Sequence, residues 1–574
     1  MSEFRRNELT AAIDGLRGAF FAVVAISAFI NLLMLTAPLY MLQVFDRVLT
    51  SQSVDTLILL SIIAVCALFA LALLEAVRTA ALGRLSAWFD ERLGKVTLKA
   101  SIAERLAGRH GPNAQGLRDL STVRSFLSGP SMFPLMDAPW TPLFLGFIFL
   151  LHPALGWVAL AGAVILLALA LTNELATRGV LRRAGAAQID AQEQAEAAVR
   201  NADVIEAMGM FEQAARRWGE QQASAQQLQA RAGGISGAIS ATSKFTRLTL
   251  QTAMLGLGAW LVINNQLSPG GMVAGTILLG RALAPVDQAL GSWKAFVAAR
   301  GAYERLSERL ADQIEEQTTM TLPKPMGIVT CEGVTYRHGE GGEPTVSNVS
   351  FELQPGQVLG ITGPSAAGKT TLARLLIGNL APRLGHVRID GMDVAEWDAG
   401  DRGQHIGYLP QDIELFRGTV RENIARLLSS DADSVIAAAE LAGVHDMVLR
   451  LPQGYETQIG EGGAALSAGQ RQRIGLARAL YGDPSVVVLD EPNSNLDHAG
   501  LEALIRCFGA LKAARVSVIV IAHQPNVIRH VDALLVLNNG QIQISGPREA
   551  VLEKITRAVE DPDRVVRPIA ARAG

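Results

Sequence analysis

The nine residues Gly363-Pro364-Ser365-Ala366-Ala367-Gly368-Lys369-Thr370-Thr371 place a lysine and two hydroxyls at the end of a loop of small residues. A short apolar run, Val358 to Thr362, leads into the loop, and the run LARLLIGNL that follows has helical spacing. Strand, loop and helix in that order are the context in which a GxxxxGK[ST] pattern binds phosphate. Small side chains let the backbone amides from Gly363 to Gly368 wrap phosphate oxygens, and the helix N-terminus adds positive potential. Lys369 is then expected to reach the β- and γ-phosphates and Thr370 to offer its hydroxyl to Mg²⁺, with Thr371 completing the phosphate-binding set.

A metal-bound triphosphate also needs a carboxylate. Val486-Val487-Val488-Leu489-Asp490-Glu491 provides one at the end of an apolar strand, with Asp490 reaching Mg²⁺ directly or through water. Glu491, one residue further, is placed to polarise a water in line with the γ-phosphate, a general-base role worth about 10²- to 10⁴-fold in rate. Met alone, such a pair after a strand could equally be surface charge.

These residues need an α/β domain to hold them. The Pro-containing stretch Thr321 to Met326 ends a long helical region, and short β-rich runs alternate with helices after it. A boundary is therefore expected near residue 320, with residues 1–320 and 321–574 as separate domains. A hydrophobic content of 49% beside 18% charged residues means that the apolar excess is concentrated, and it lies in the first half. Six runs there approach the ~20 residues that a bilayer core requires. They are Ala19 to Met41, Thr56 to Leu74, Trp140 to Leu151, Leu155 to Leu171, Leu248 to Ile263 and Met272 to Leu290. The third is short unless it begins upstream near Phe133. The first follows a polar, arginine-bearing N-terminus with no small-residue cleavage site, so it is expected to remain as an anchor.

Basic residues collect before the first run (Arg5, Arg6, Arg17), after the second (Arg84, Arg92, Lys95) and after the fourth (Arg182, Arg183, Arg216). The connections on the other side carry only Arg47, which predicts a multi-pass protein with both termini cytoplasmic. Helical patterns continue beyond the spans, and about 25 extra residues would carry helices two to five ~37 Å into the cytoplasm, far enough to touch a separate domain. Contact turns are expected near Gly116 to Phe126 and Asn201 to Phe211. Asn31 within the first span reads as an interhelical hydrogen bond or a substrate-path residue, and Arg281 as a paired or snorkelling cation or a path residue. Gly271, Gly275 and Gly280 fit close helix packing. Cys66, Cys331 and Cys507 are too scattered for a disulfide framework or a zinc site and read as small buried hydrophobes. A net charge of -3 gives no basic surplus for nucleic acid.

Between the two phosphate-site motifs lies Leu466-Ser467-Ala468-Gly469-Gln470, which resembles the LSGGQ signature of the ATP-binding-cassette (ABC) family, with one methyl added at position 468. The resemblance continues through Tyr336, Gln411, Ser494-Asn495-Leu496-Asp497 and His523. It implies ATP as the nucleotide, Tyr336 stacking on adenine, Gln411 at the nucleotide and its Mg²⁺, and His523 as a catalytic switch histidine. In that family two cassettes sandwich two ATP molecules, each held between the phosphate loop of one and the signature of the other. Ser467, Gly469 and Gln470 would therefore serve a partner's nucleotide, and a single cassette with all parts intact implies a homodimer.

Six spans followed by a cassette look like an exporter: an all-α six-helix transmembrane domain, then an α/β P-loop nucleotide-binding domain. Pro38-Leu39-Tyr40-Met41-Leu42-Gln43-Val44-Phe45-Asp46-Arg47-Val48-Leu49, Asp137-Ala138-Pro139-Trp140-Thr141-Pro142 and Met208-Gly209-Met210 with Trp218 resemble type I protein-secretion ATPases. Only 18 residues precede Ala19, so the resemblance is to the subgroup without an N-terminal peptidase-like domain, which exports RTX-type proteases, lipases and S-layer proteins. It implies a bacterial inner-membrane setting among membrane lipids, a periplasmic membrane-fusion adaptor, an outer-membrane channel, and a secreted protein substrate with a C-terminal signal. A lipid, drug or peptide exporter of the same architecture is the alternative, since a cassette does not specify cargo.

Overall fold

Backbone amides in a bilayer must be bonded within their own segment, and the first half of the chain is built from helices accordingly. The computed structural model describes residues 8–106, 115–311, 323–339, 341–429 and 431–560. Two units result, Met1–Ile314 and Glu315–Gly574. The boundary expected near residue 320 lies outside the described residues.

The helices of the first unit are α1 (Glu8–Leu33), α2 (Val54–Leu106), α3 (Gln115–Ser128), α4 (Thr141–Leu151), α5 (Pro153–Arg200), α6 (Phe211–Ile263) and α7 (Pro269–Ala311), with shorter turns between them. The lengths of α2, α5, α6 and α7 are 53, 48, 53 and 43 residues. At 1.5 Å per residue that is about 65 to 80 Å, roughly twice a bilayer core. Among the described residues five helical stretches are long and apolar enough to cross a membrane: Arg17–Ser51, Val54–Leu106, Pro130–Leu151, Pro153–Arg200 and Pro269–Ala311. The third starts upstream at Pro130, where proline opens a helix without losing a needed N–H. The sixth expected span, Leu248 to Ile263 at the end of α6, has 16 residues and is bounded by Arg247, which pairs with Asp287 of α7 at 2.6 Å. Thr249, Gln251 and Thr252 dilute its apolar composition, and Met254, Gly258 and Leu261 are buried within the unit.

Three polar clusters join helices of this unit. Asn31 is buried and donates to the Ser27 carbonyl at 2.8 Å and to Asp137 Oδ1 at 3.1 Å, so it is an interhelical hydrogen bond. Arg78 of α2 also reaches Asp137 Oδ1, at 2.9 Å, and its guanidinium lies 4.4 Å from the Phe133 ring centroid. Asp46, in the π-helical turn Val44–Val48, accepts from Ser268 Oγ at 2.5 Å and the Gly270 N–H at 2.8 Å, thereby capping α7. The secretion-type segments around Asp46 and Asp137 thus each supply a carboxylate that joins helices. Arg281 is exposed. Cys331 and Cys507 are buried, with their thiols pushed up to about 12 by that burial, whereas Cys66 is exposed on α2 rather than buried.

Of the two expected turns, Asn201 to Phe211 is one: a short helix, Ala202–Ala207, is followed by Gly209 with φ +60°, and Val204, Met208 and Phe211 are exposed. Gly116 to Phe126 lies inside α3 instead. Gly116, Asp119, Leu120 and Val123 are buried there, and Asp119 takes both a 3.0 Å and a 2.6 Å bond from Arg305 of α7.

The second unit has strands β1 (Val329–Tyr336), β2 (Val346–Leu353), β3 (Val358–Thr362), β4 (Leu384–Ile389), β5 (Met392–Asp393), β6 (Ile406–Leu409), β7 (Val486–Asp490), β8 (Ser517–Ile521), β9 (Ala533–Asn538) and β10 (Gln541–Pro547). A four-stranded antiparallel sheet has the order β2-β1-β4-β5, and a six-stranded sheet the order β10-β9-β3-β8-β7-β6. In the larger sheet β9, β3, β8, β7 and β6 are parallel. Val486 and Val488 face one core and Val487 and Leu489 the other, which is why these strands read as unbroken apolar runs. Helices α8 (Lys369–Leu376), α9 (Ala468–Leu480) and α10 (His498–Ala513) complete what positions the site.

Replacing Arg78 by Met leaves the Asp137 carboxylate without its counter-charge, held by the Asn31 amide, at about 3–5 kcal/mol for a broken buried pair. The thermal midpoint of the purified protein should drop, and Arg78→Met combined with Asp137→Asn should recover part of the loss. An unchanged midpoint for Arg78→Met would show that the pair does not stabilise the fold.

Candidate active site

The chemistry-bearing residues gather at the C-terminal ends of adjacent parallel strands, where an open α/β sheet leaves a crevice. The loop Gly363–Gly368 follows β3, Asp490 ends β7, His523 follows β8 and Gln411 follows β6. Pro364, Ser365 and Ala366 form the exposed crest of the loop, while Ala367, Gly368 and Lys369 are buried and Thr370 and Thr371 half-buried. A Cβ on Gly363 would lie 2.0 Å from the Leu537 carbonyl oxygen, so only glycine lets the loop turn this close to β9. Ala366, with φ +63°, holds a left-handed backbone that alanine adopts under strain.

Lys369 is 7% exposed, and its Nζ donates to the Gly363 and Pro364 carbonyls at 3.0 and 2.8 Å. Burial pushes its pKa down, against the pull of Glu491 and Asp490. Asp490 is 1% exposed, and neither carboxylate oxygen has a hydrogen-bond partner. Burial drives its pKa up, and the nearby Glu491 charge adds to the rise; the Thr370 hydroxyl beside it, Lys369 and Arg374 act in the opposite direction. A buried carboxylate left without a donor, next to a hydroxyl, is a donor set suited to a hard divalent cation such as Mg²⁺. Among the described residues no cluster of three His, Cys, Asp or Glu side chains could hold a metal.

Glu491 carries the other strained backbone, φ +50°, and its N–H donates to the Ile521 carbonyl at 3.0 Å. That turn sets its carboxylate 3.5 Å from His523 Nε2, with both side chains part-exposed. Tyr336 sits half-buried at the end of β1, packed on the core and edge-to-face with His338 at 5.2 Å. Gln411 is exposed.

The Leu466–Gln470 segment has different neighbours. Ser467 caps α9, its Oγ accepting from the Gln470 N–H at 3.2 Å while Gln470 Oε1 accepts from the Ser467 N–H at 2.8 Å. A Cβ on Gly469 would lie 2.7 Å from the Asn495 carbonyl oxygen, so this glycine is what admits the Ser494–Asp497 loop. Sequence reasoning missed Gln472, which is 2% exposed and hydrogen-bonded to the backbone of both Glu491 and Asn495. Its spacing of three from Gly469, which puts both on one face of α9, is the signal that could have found it.

Residues 346–494 match the family described as ABC transporter, and residues 20–285 the one described as ABC transporter transmembrane region. The type I secretion system ATP-binding protein PrsD of Rhizobium meliloti is 41% identical over 558 residues, covering 97% of this chain and 96% of that protein. The cyclolysin secretion/processing ATP-binding protein CyaB of Bordetella pertussis is 31% identical over 92% of this chain and 75% of its own length. The fold matches that of a bacterial Atm1-family ABC exporter with ATP bound, with a TM-score of 0.81 over 96% of this chain and 99% of the other, at 20% identity.

The Asp490 pKa gives a prediction with a definite sign. A carboxyl whose folded pKa exceeds its unfolded one destabilises the metal-free fold as pH rises from the ordinary carboxylate range through the raised value. At neutral pH Asp490→Asn should therefore raise the midpoint of the nucleotide-free protein by roughly 2–4 °C, the change that about 1 kcal/mol produces in a domain of this size, while abolishing ATP turnover. The gain should vanish in acid, where wild-type Asp490 is already protonated. A lower midpoint at neutral pH would contradict the reading.

Proposed function

The chain belongs to the ABC transporter family, among the type I secretion ATP-binding proteins, and from that premise we propose how its residues drive protein export. It is a multi-pass membrane ATPase that couples ATP hydrolysis to protein export. The length of its similarity to a secretion ATP-binding protein, running through membrane and nucleotide halves alike, carries this reading over a lipid or drug exporter.

In the proposed site Tyr336 stacks on adenine, and the amides from Gly363 to Thr371 wrap the phosphates. Lys369 leaves the Gly363 and Pro364 carbonyls to meet the β- and γ-phosphates. Thr370, Gln411 and Asp490 hold Mg²⁺, which when bound neutralises charge on the phosphate oxygens. Glu491 polarises the attacking water, and His523, 3.5 Å away, orients that carboxylate and the γ-phosphate. Ser467, Gly469 and Gln470 face the nucleotide of a second, identical chain, because the capped N-terminus of α9 then finds an anionic ligand. ATP binding thus closes the homodimer, and hydrolysis releases it.

By the same reading the protein sits in a bacterial inner membrane with both termini cytoplasmic and lipids around its exposed apolar helices. A periplasmic membrane-fusion adaptor and an outer-membrane channel continue the route for a substrate bearing a C-terminal signal.

Glu491→Gln should bind ATP, accumulate as a closed dimer and lose about 10²-fold or more in turnover. Turnover near the wild-type rate would remove the base assignment. Adding C-terminal segments of secreted proteins to the reconstituted protein should change its ATPase rate. Strong stimulation by lipid with no response to any peptide would favour the lipid-exporter reading instead.

A further inference from the structure

Gln472 lies on α9, five residues after Ser467, and its amide is shut away from solvent. Its Nε2 donates to the Glu491 carbonyl at 3.1 Å and to Ser494 Oγ at 3.4 Å, and its Oε1 accepts from the Asn495 N–H at 3.0 Å. The partners fix the amide's orientation, since the Asn495 N–H can only donate and the Glu491 carbonyl can only accept. On the same face Gly469 lets the Asn495 carbonyl approach, and further along the helix Arg473 lies 3.9 Å from Asp497. One buried side chain therefore fastens the signature helix to the segment that carries Glu491. That fastening acts at a strained position, because Glu491 holds φ +50° and such a conformation persists only where its surroundings over-determine it.

We propose that Gln472 is a positioning residue for ATP hydrolysis, holding Glu491 in its left-handed conformation and tying that conformation to the seating of α9 on the partner's nucleotide. The inference rests on the two-chain reading above. Ser467 and Gly469 meet one ATP and Glu491 acts on the other, so the Gln472 amide makes the base at one site depend on engagement at its neighbour. The Glu491 carbonyl also accepts from the Ser494 N–H at 3.2 Å, and Gln472 holds both of these partners, so loss of its amide loosens the whole turn and moves the carboxylate off the line of attack. The phosphate loop, which binds ATP, is untouched.

The test uses the full-length protein in lipid nanodiscs. Gln472→Met keeps the side-chain length without the bonds, and its kcat should fall about 10- to 10²-fold, as misplacement by around 1 Å does elsewhere, with the ATP KM changed less than about threefold. Gln472→Glu keeps an acceptor for the Asn495 N–H but presents the Glu491 carbonyl with a donor only when the introduced carboxyl is protonated. Burial raises that carboxyl's pKa, so the variant's kcat relative to wild type should climb as pH is lowered. A kcat within twofold of wild type for Gln472→Met overturns the proposal. So does a loss matched by weakened ATP binding and a lower thermal midpoint, with a flat pH ratio for Gln472→Glu, since that is the pattern of a structural residue. Glu491→Gln, measured alongside, separates the two failures. If it turns over normally the base assignment itself is gone, whereas if it is inactive and Gln472→Met is not, only the role of Gln472 is.

Discussion

A carboxylate with no hydrogen-bond donor, buried at the end of a parallel strand, sets the conditions for everything around it. Asp490 is 1% exposed and its carboxylate oxygens have no hydrogen-bond partner, a state that costs the fold unless a counter-charge arrives. Strands β7 and β8 hold it there because apolar residues fill both of their faces. Lys369 and the Thr370 hydroxyl are the nearest compensation, and Lys369 is itself occupied with the loop carbonyls. The proposed function completes the site with a cation and an anion together, magnesium and a nucleoside triphosphate. Strain sits beside it, in the left-handed backbones of Ala366 and Glu491.

The helical unit meets the same constraint with the opposite solution. Its carboxylates in apolar surroundings are satisfied internally, Asp137 by Arg78 and Asn31, and Asp46 by Ser268 and the amide of Gly270. These pairs join helices distant in sequence, so removing one partner unmasks a charge rather than merely loosening a contact. Segments with a secretion-type pattern thus carry weight through carboxylates that link helices.

The residues that the fold gathers at the strand ends were mostly legible in the sequence, because a phosphate-binding pattern is made of small residues, a lysine and strand-end carboxylates in a fixed order. Strands β3, β7 and β8 were legible too, since burial on both faces leaves no polar alternation to misread. What stayed hidden has physical reasons. Gly116 resembles a turn former, yet it is glycine because Thr97 and Ser101 press to within 3.1 and 3.0 Å of where its Cβ would be. The start of the third span was obscured by prolines that in fact open it. The apolar end of α6 is interrupted by Thr249, Gln251 and Thr252 and bounded by Arg247, which pairs with Asp287 on the neighbouring helix. Gln472 left little trace because its partners are mainly backbone groups 19 to 23 residues downstream, and backbone groups carry no side-chain signature.

The proposed mechanism divides the catalytic parts into two sets, Lys369, Asp490, Glu491 and His523 on one nucleotide and Ser467 with Gly469 on the partner's, to be joined by completion in trans. Co-expressing Lys369→Ala and Ser467→Arg chains with different tags and isolating the mixed dimers by sequential affinity tests this directly. If each site draws on both chains, one site in the mixed dimer carries both lesions and the other carries none, so ATPase activity should return to about half the wild-type level for independent sites. Activity no greater than that of either parent dimer would contradict a site shared between two chains.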